Sequence, residues 1–332
     1  MKTQQIILKE RPEGMPKKHD FDFQEVTIPS PQEGEVLIRG KFFSVDPYMR
    51  GRMTTARSYV PPYEVGEPID GGMIGEVLGS KSDTLKEGDY VWGMLPWKKE
   101  QVVTAESVQK IDPKLAPPQY FLGILGLTGI TAYFGLLDIG KPQKGETVVV
   151  SAAAGAVGMV VGQIAKLKSC HVVGIAGSAE KIDFLKQELG FDEAFNYKAE
   201  TDLRTAIQRA APKGVDIYFD NVGGPISDAV IQELNPFSRI PLCGQISLYN
   251  ETSMPTGPRI QPRLLKQRTL MKGFIVRDYL EQADQARQQL AQWIKEGKIK
   301  NKETLMEGFE KLPEAFIGLF HGKNTGKLIV KV

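Results

Sequence analysis

The sequence predicts an α/β protein in two parts, a small β-barrel followed by a doubly wound parallel sheet. Three observations predict it. Up to about Tyr120, short strand-like runs recur at turn-like spacing between Gly/Pro clusters. Beyond it, strand-like runs alternate with helical stretches, the rhythm of βα units. Within that second part, Thr147-Val148-Val149-Val150-Ser151 runs straight into Ala152-Ala153-Ala154-Gly155-Ala156-Val157-Gly158. A β-branched run stops there at small residues and an amphipathic pattern begins, which reads as strand, tight turn and helix start.

The elements follow in order. Residues 35–39, 75–78 and 89–92 are barrel strands, and Tyr59-Val60-Pro61-Pro62-Tyr63 marks a loop. In the second part, strands are expected at residues 147–151, 171–176, 194–197, 215–220, 239–244 and 273–276. Six such units imply a parallel sheet with right-handed crossovers. Pro241 is awkward inside a central strand and leaves that strand's boundary open. A helix over residues 279–296 would end at Gly297. The final run, residues 326–332, lies outside the rhythm and is expected to return to the barrel.

The glycine turn is the first candidate site. Its residues lack bulk, so backbone N–H groups approach a phosphate closely, and the helix start adds partial positive charge at the same point. Gly155 and Gly158 hold the second and third places of a Gly-x-Gly-x-x-Gly pattern, with Ala153 where the first glycine would be. Gly155, Ala156, Val157 and Gly158 are the expected pyrophosphate contacts; a turn made only for close helix–strand packing is the other reading. The next strand ends at Gly177-Ser178 without the Asp or Glu that NAD-binding units place about 20 residues past the glycines. Ser178 stands there, with Lys181 on the following helix. A hydroxyl and a cation suit a 2′-phosphate, so the expected cofactor is NADPH; the bland alternative makes Lys181 one solvated lysine among many.

Composition excludes other classes. The 332 residues carry a formal net charge of +2 and no long basic run, which favours neither nucleic acid nor membrane. No apolar run approaches membrane-spanning length. Cys170 and Cys243 cannot form a disulfide framework, and Met1-Lys2-Thr3-Gln4-Gln5 lacks the apolar core of a signal peptide, so a cytoplasmic protein is expected. The three histidines, His19, His171 and His321, are dispersed, with no Cys or second His at ligand spacing, so no metal is expected. Cys243 ends an apparent buried strand, where cysteine behaves as a small hydrophobe. Ligands of doubly wound sheets sit beyond the carboxyl ends of the strands, which adds Tyr197, Asn221 and the run from Cys243 to Tyr249 as candidates.

The layout resembles the medium-chain dehydrogenase/reductases. Ser44-Val45-Asp46-Pro47-Tyr48-Met49-Arg50-Gly51, residues 151–166, Phe195-Asn196-Tyr197, residues 220–224 and 243–250, Glu307-Gly308-Phe309-Glu310 and Asn324-Thr325-Gly326-Lys327 resemble segments of its zinc-independent enone and alkenal reductases. These include prostaglandin reductase, plant double-bond reductases and bacterial curcumin reductase. The resemblance implies a GroES-like β-barrel domain over residues 1–121, completed by 298–332, and a Rossmann NADPH-binding domain over 122–297. It implies that Ser178, Lys181 and Tyr197 face the adenosine phosphate. It implies too that Asn221, Cys243, Gly244, Gln245, Ile246, Ser247 and Tyr249 line the adenine and ribose path, and that Phe274, Ile275, Val276 and Asn324 lie near the nicotinamide. Zinc members carry a Cys near the position of Ser44 and a Gly-His-Glu run where this chain has Asp70-Gly71-Gly72. A homodimer is expected from the family, joined through the Rossmann sheet edges.

The activity so implied is reduction of the double bond of an α,β-unsaturated aldehyde or ketone, with hydride to the β-carbon and a proton to the α-carbon. Quinone reduction is a neighbouring reading, and a non-catalytic NADPH sensor is a third. Tyr48 and Tyr249 are the candidate donors to the carbonyl oxygen or the ribose, against simple packing. Tyr59, Tyr63, Met53 and Met254, in loops beside Pro and Gly, could line an apolar pocket. Some relatives carry a further Tyr where this chain has Glu251-Thr252-Ser253-Met254-Pro255-Thr256.

Overall fold

A computed structural model describes residues 1–332. β1 (Lys2–Leu8) and β2 (Phe21–Thr27) pair antiparallel. β3 (Glu35–Ser44) leads into the short helix α1 (Met49–Arg52). β4 (Asp70–Ser80), β5 (Tyr90–Pro96), β6 (Glu100–Thr104) and β7 (Gln109–Lys110) follow. β3 is the spine of this unit, hydrogen-bonded to both β4 and β6. Its alternation turns Val36 and Ile38 into a core shared with Phe43, Val91 and Trp97, all fully buried.

The chain then crosses through α2 (Leu127–Phe134) into a regular βα series. β8 (Thr147–Ser151), α3 (Gly158–Leu167), β9 (His171–Ala176), α4 (Ala179–Asp183), β10 (Glu193–Asn196) and α5 (Leu203–Ala210) form its first half. β11 (Val215–Phe219), α6 (Gly224–Gln232), β12 (Leu234–Leu242), α7 (Gln261–Gln267), β13 (Leu270–Gly273) and α8 (Ala283–Lys295) form the second. The strand order is β10-β9-β8-β11-β12-β13, parallel throughout. Every residue of β8 is buried, as a strand covered by helices on both faces requires. The order reverses between β8 and β11, so the ends of those two strands open the crevice.

β14 (Glu303–Glu307), α9 (Leu312–Phe320) and β15 (Lys327–Lys331) return to the first unit. β15 pairs antiparallel with β3, the return expected of the final strand. Pro241 does lie within β12, one strand in from the edge, and its carbonyl takes the Asp220 N–H at 3.0 Å.

The last parallel strand differs from expectation. It is β13, and the apolar run Phe274-Ile275-Val276 leaves the sheet. The Phe274 ring packs edge-on against Phe219 and Tyr279, each at 6.3 Å, in the space that Gly135 leaves open. The Asp278 carboxylate accepts the Ile275 N–H and starts a 3₁₀ turn, Val276–Gln282, so the helix expected from residue 279 begins at Ala283. Gly297 closes α8 with φ of +69°, and its N–H donates to Ile294.

Candidate active site

The phosphate turn is built from backbone. Ala152 takes the left-handed conformation, φ +48°, just after β8. That strain falls one residue before Ala153, the position matched to the first glycine. Ala153 is buried, and Gly174 on β9 leaves room for its methyl. A side chain at Gly158 would lie 2.5 Å from the Ala152 carbonyl, so α3 can start this close to β8 only with glycine there. The N–H groups of Val157 and Gly158 make no backbone hydrogen bond, while Gly155 pairs with Gly326 in an isolated parallel bridge. These orphan donors at the start of a ten-residue helix fit a pyrophosphate. Gly326 comes alongside, donating its N–H to Ala154 at 2.7 Å, and the Asn324 amide donates to Gly326.

The adenosine end is cationic. The Ser178 hydroxyl caps α4, and the Lys181 ammonium donates to the Gly322 carbonyl at 2.7 Å. Burial, and secondarily the charge of Lys198, push the Lys181 pKa down. Two cations stand here, beside the Glu180 carboxylate that takes the Ser178 hydroxyl. Tyr197 lies across Gly177, and the Lys198 ammonium sits 5.8 Å from the Tyr197 ring centre. Lys198 was not singled out in the sequence, although it directly follows the third strand's Asn-Tyr.

Between β11 and β12 the loops are locked from below by Asp220. This buried carboxylate accepts from Tyr218, Ser227 and the N–H groups of Val222 and Gly223, at 2.7–2.9 Å. Asn221 is held on β8 by donating its amide to the Ser151 carbonyl at 2.8 Å. Several expected ribose-path residues turn their side chains into this scaffold. The Gln245 amide reaches toward Asp220, and the Ser247 hydroxyl donates to the Val222 carbonyl. The Gly244 N–H donates to the Asp220 carbonyl, and Ile246 heads a 3₁₀ turn. Burial, then Asp220, pushes the Cys243 thiol up to about 12, so it is no thiolate nucleophile. The Phe274 ring belongs to the core and is 8% exposed.

Opposite stand the phenols. Tyr48 precedes α1, and its buried hydroxyl has no hydrogen-bond partner. It lines a narrow cavity of about 10 Å³ with Ser44, Asp46, Gly72, Trp92, Phe121 and Leu122 among its walls. Burial is the main cause that raises its pKa, and Tyr63 and Asp46 add to it. The Tyr249 oxygen accepts the Gln245 N–H at 3.2 Å, and burial raises its pKa too. Burial, and then the nearby Tyr249, raise the pKa of Tyr59 from the first unit. Of the other pocket candidates, Met53 and Tyr63 are core residues, and Tyr63 donates to the Asp70 carbonyl. Met254 is 89% exposed and covers nothing.

Two buried cations were not singled out by the sequence. Arg50 donates to the Gly14 carbonyl at 2.9 Å, to Pro12 at 3.2 Å and to the Asn250 side chain at 3.0 Å. It ties the helix behind Tyr48 to the residue after Tyr249. Lys327 donates to Val45 at 3.1 Å and to the Asp46 carboxylate, whose other oxygen takes the Ser44 hydroxyl.

Residues 4–111 match a family model described as the N-terminal domain of oxidoreductase, and residues 156–296 match one described as zinc-binding dehydrogenase. A Bacillus subtilis protein named as an NADP-dependent oxidoreductase is 56% identical, over 99% of this chain and 97% of its own. NADPH-dependent curcumin reductase of Escherichia coli is 43% identical over 98% and 96%. The NADP-dependent 2-alkenal reductase of Nicotiana tabacum is 44% identical over 99% and 97%. The crystal structure of CurA from Vibrio vulnificus in complex with NADPH superposes with a TM-score of 0.94 at 44% identity, over 99% of each chain.

The zinc in one family description finds neither thiolate nor imidazole at Ser44 or at Asp70-Gly71-Gly72. Zinc takes thiolate, imidazole and carboxylate ligands, tetrahedrally in structural sites. At Ser44 the chain offers a hydroxyl and a carboxylate already bonded to each other and to an ammonium. Glu10, His19 and Asp20 come within ligand distance of one another, but two of the three are exposed and none is a thiolate.

Proposed function

The chain belongs to the prostaglandin, alkenal and curcumin reductase family of the medium-chain dehydrogenase/reductases, and from that premise we propose that it reduces the carbon–carbon double bond of α,β-unsaturated aldehydes and ketones with NADPH. The reaction is zinc-independent. The observation that carries the reading is the pairing of a phosphate-cradling turn at the β8–β11 crevice with a narrow, mostly apolar cavity holding an unpartnered, neutral phenol.

NADPH, when bound, supplies the hydride. Gly155, Ala156, Val157 and Gly158 hold its pyrophosphate. Ser178, Lys181, Tyr197 and Lys198 hold the 2′-phosphate. Asn221 and the backbone of residues 243–247 line the ribose path, and Asn324 keeps Gly326 against the phosphate turn. Tyr48 donates to the substrate carbonyl oxygen as negative charge gathers on it, and Tyr249 orients the ribose and substrate across the cleft. The units doing this are residues 1–121 with 298–332 on the substrate side and 122–297 on the cofactor side.

Removing the Tyr48 hydroxyl as Tyr48→Phe is expected to lower kcat on the order of a hundredfold, the usual loss for one oxyanion donor. The NADPH dissociation constant should hold. Because both phenol pKa values are raised above the ordinary value near 10, the protonated donor persists as pH rises. The wild-type rate should therefore show no alkaline fall from phenol ionisation below about pH 10. Product analysis tests the reading itself: the saturated carbonyl compound must form at full rate with a chelator present. Turnover of quinones alone would move the protein to the neighbouring reading, and tight NADPH binding without turnover would make it a sensor.

The protein acts as a homodimer joined at the free edge of β13. There Leu270 is 51% exposed, and Leu265 and Phe237 are 80% and 65% exposed. No helix is long and apolar enough to cross a membrane. Two free cysteines fit a reducing, cytoplasmic setting.

A further inference from the structure

The buried pair of Lys327 and Asp46 has no part in the steps above. Lys327 is 2% exposed. It follows Gly326, which is bonded to the phosphate turn, and its ammonium reaches the wall of the cavity under Tyr48. Ser44 and Asp46 form that wall, and Asp46 accepts from Ser44 on one oxygen and from Lys327 on the other. Glu303 on β14 is the other carboxyl facing Lys327, and burial raises its pKa. Asp46 is thus the anion that Lys327 balances.

A buried ion pair is a weak source of stability, because desolvating both charges offsets most of their attraction. A carboxylate left alone in that wall would act on the reaction. Negative charge gathers on the substrate oxygen in this cavity, and an unbalanced anion a few ångströms away in a poorly polarisable wall opposes it. We propose that Lys327 is a positioning residue for the reduction: it holds Asp46 so that the substrate cavity presents no free negative charge to the carbonyl oxygen as that oxygen becomes anionic. The inference rests on double-bond reduction being the reaction.

The two partners are then unequal. Removing the cation exposes an anion to the reacting oxygen, whereas removing the anion does not. The test compares Lys327→Met, Lys327→Arg, Asp46→Asn and the double variant Lys327→Met/Asp46→Asn with benzylideneacetone as substrate. Melting temperature, NADPH affinity, KM and kcat are measured for each. Lys327→Met should lose on the order of a hundredfold in kcat with KM for NADPH little changed. Lys327→Arg and Asp46→Asn should keep most of it, and the double variant should recover what Lys327→Met lost. Equal losses from either single change, or no recovery in a folded double variant, would overturn the proposal. Should Lys327→Met fail to fold, Asp46→Asn and the double variant decide: near wild-type kcat in both supports the proposal, and loss in both overturns it. The wild type run alongside judges the reaction itself. If it reduces quinones instead, the same ratios on a quinone, whose oxygen also becomes anionic, judge the pair. If it reduces neither, both readings fall.

Discussion

Replacing Lys181 and Lys198 together with alanine should weaken NADPH binding on the order of a hundredfold or more, while NADH binding changes little. On the proposed reading each ammonium makes a charge-assisted bond to the 2′-phosphate, worth about 1.5–3 kcal/mol, and NADH has no group to receive it. Burial and then Lys198 lower the Lys181 pKa, a cost that an anion beside Lys181 offsets. Either single change should have a smaller effect, since the remaining lysine still reaches the phosphate. Fluorescence titration of both cofactors checks this. An equal loss for NADPH and NADH would mean that Lys181 serves only to hold the Gly322 carbonyl.

Arg50→Met should destabilise the protein by about 3 kcal/mol, because two backbone carbonyls and the Asn250 side chain lose a buried donor at once. It should also lower kcat more than it weakens NADPH binding. The guanidinium fixes the helix behind Tyr48 relative to Asn250, so its loss lets the two phenols drift while the phosphate turn stays intact. Arg50→Lys keeps the charge but not the planar fork, and should recover less than half of the lost stability. Chemical denaturation and steady-state kinetics on the same preparations measure both effects. A variant as stable and as fast as the wild type would show that the two walls of the cleft are set elsewhere.

What could be read in the sequence was whatever a few neighbouring residues encode. The change of period at Ser151, the small residues after it, and the missing carboxylate at Ser178 are local signals, and the strand, turn and helix formed where the first two placed them. Pairings across the chain are not local. Arg50 meets Asn250 over 200 residues and Lys327 meets Asp46 over 281, and in each case a charged side chain that looks solvated in sequence is buried by its partner. Phe274-Ile275-Val276 misled for a related reason. An apolar run of that length fits a strand or a core turn equally, and the space left by Gly135 decided it. Gln245 and Ser247 lie in the loop after β12, where the buried Asp220 and the Val222 carbonyl claim their side chains.

The central claim is hydride delivery from NADPH to the β-carbon of a conjugated carbonyl compound without metal. The most direct measurement uses NADPH deuterated at C4, benzylideneacetone and a chelator, with the deuterium located in the product by NMR. The predicted result is a saturated ketone carrying deuterium at the β-carbon, formed at the same rate with and without chelator. Deuterium on a carbinol carbon, or turnover abolished by the chelator, would contradict the account.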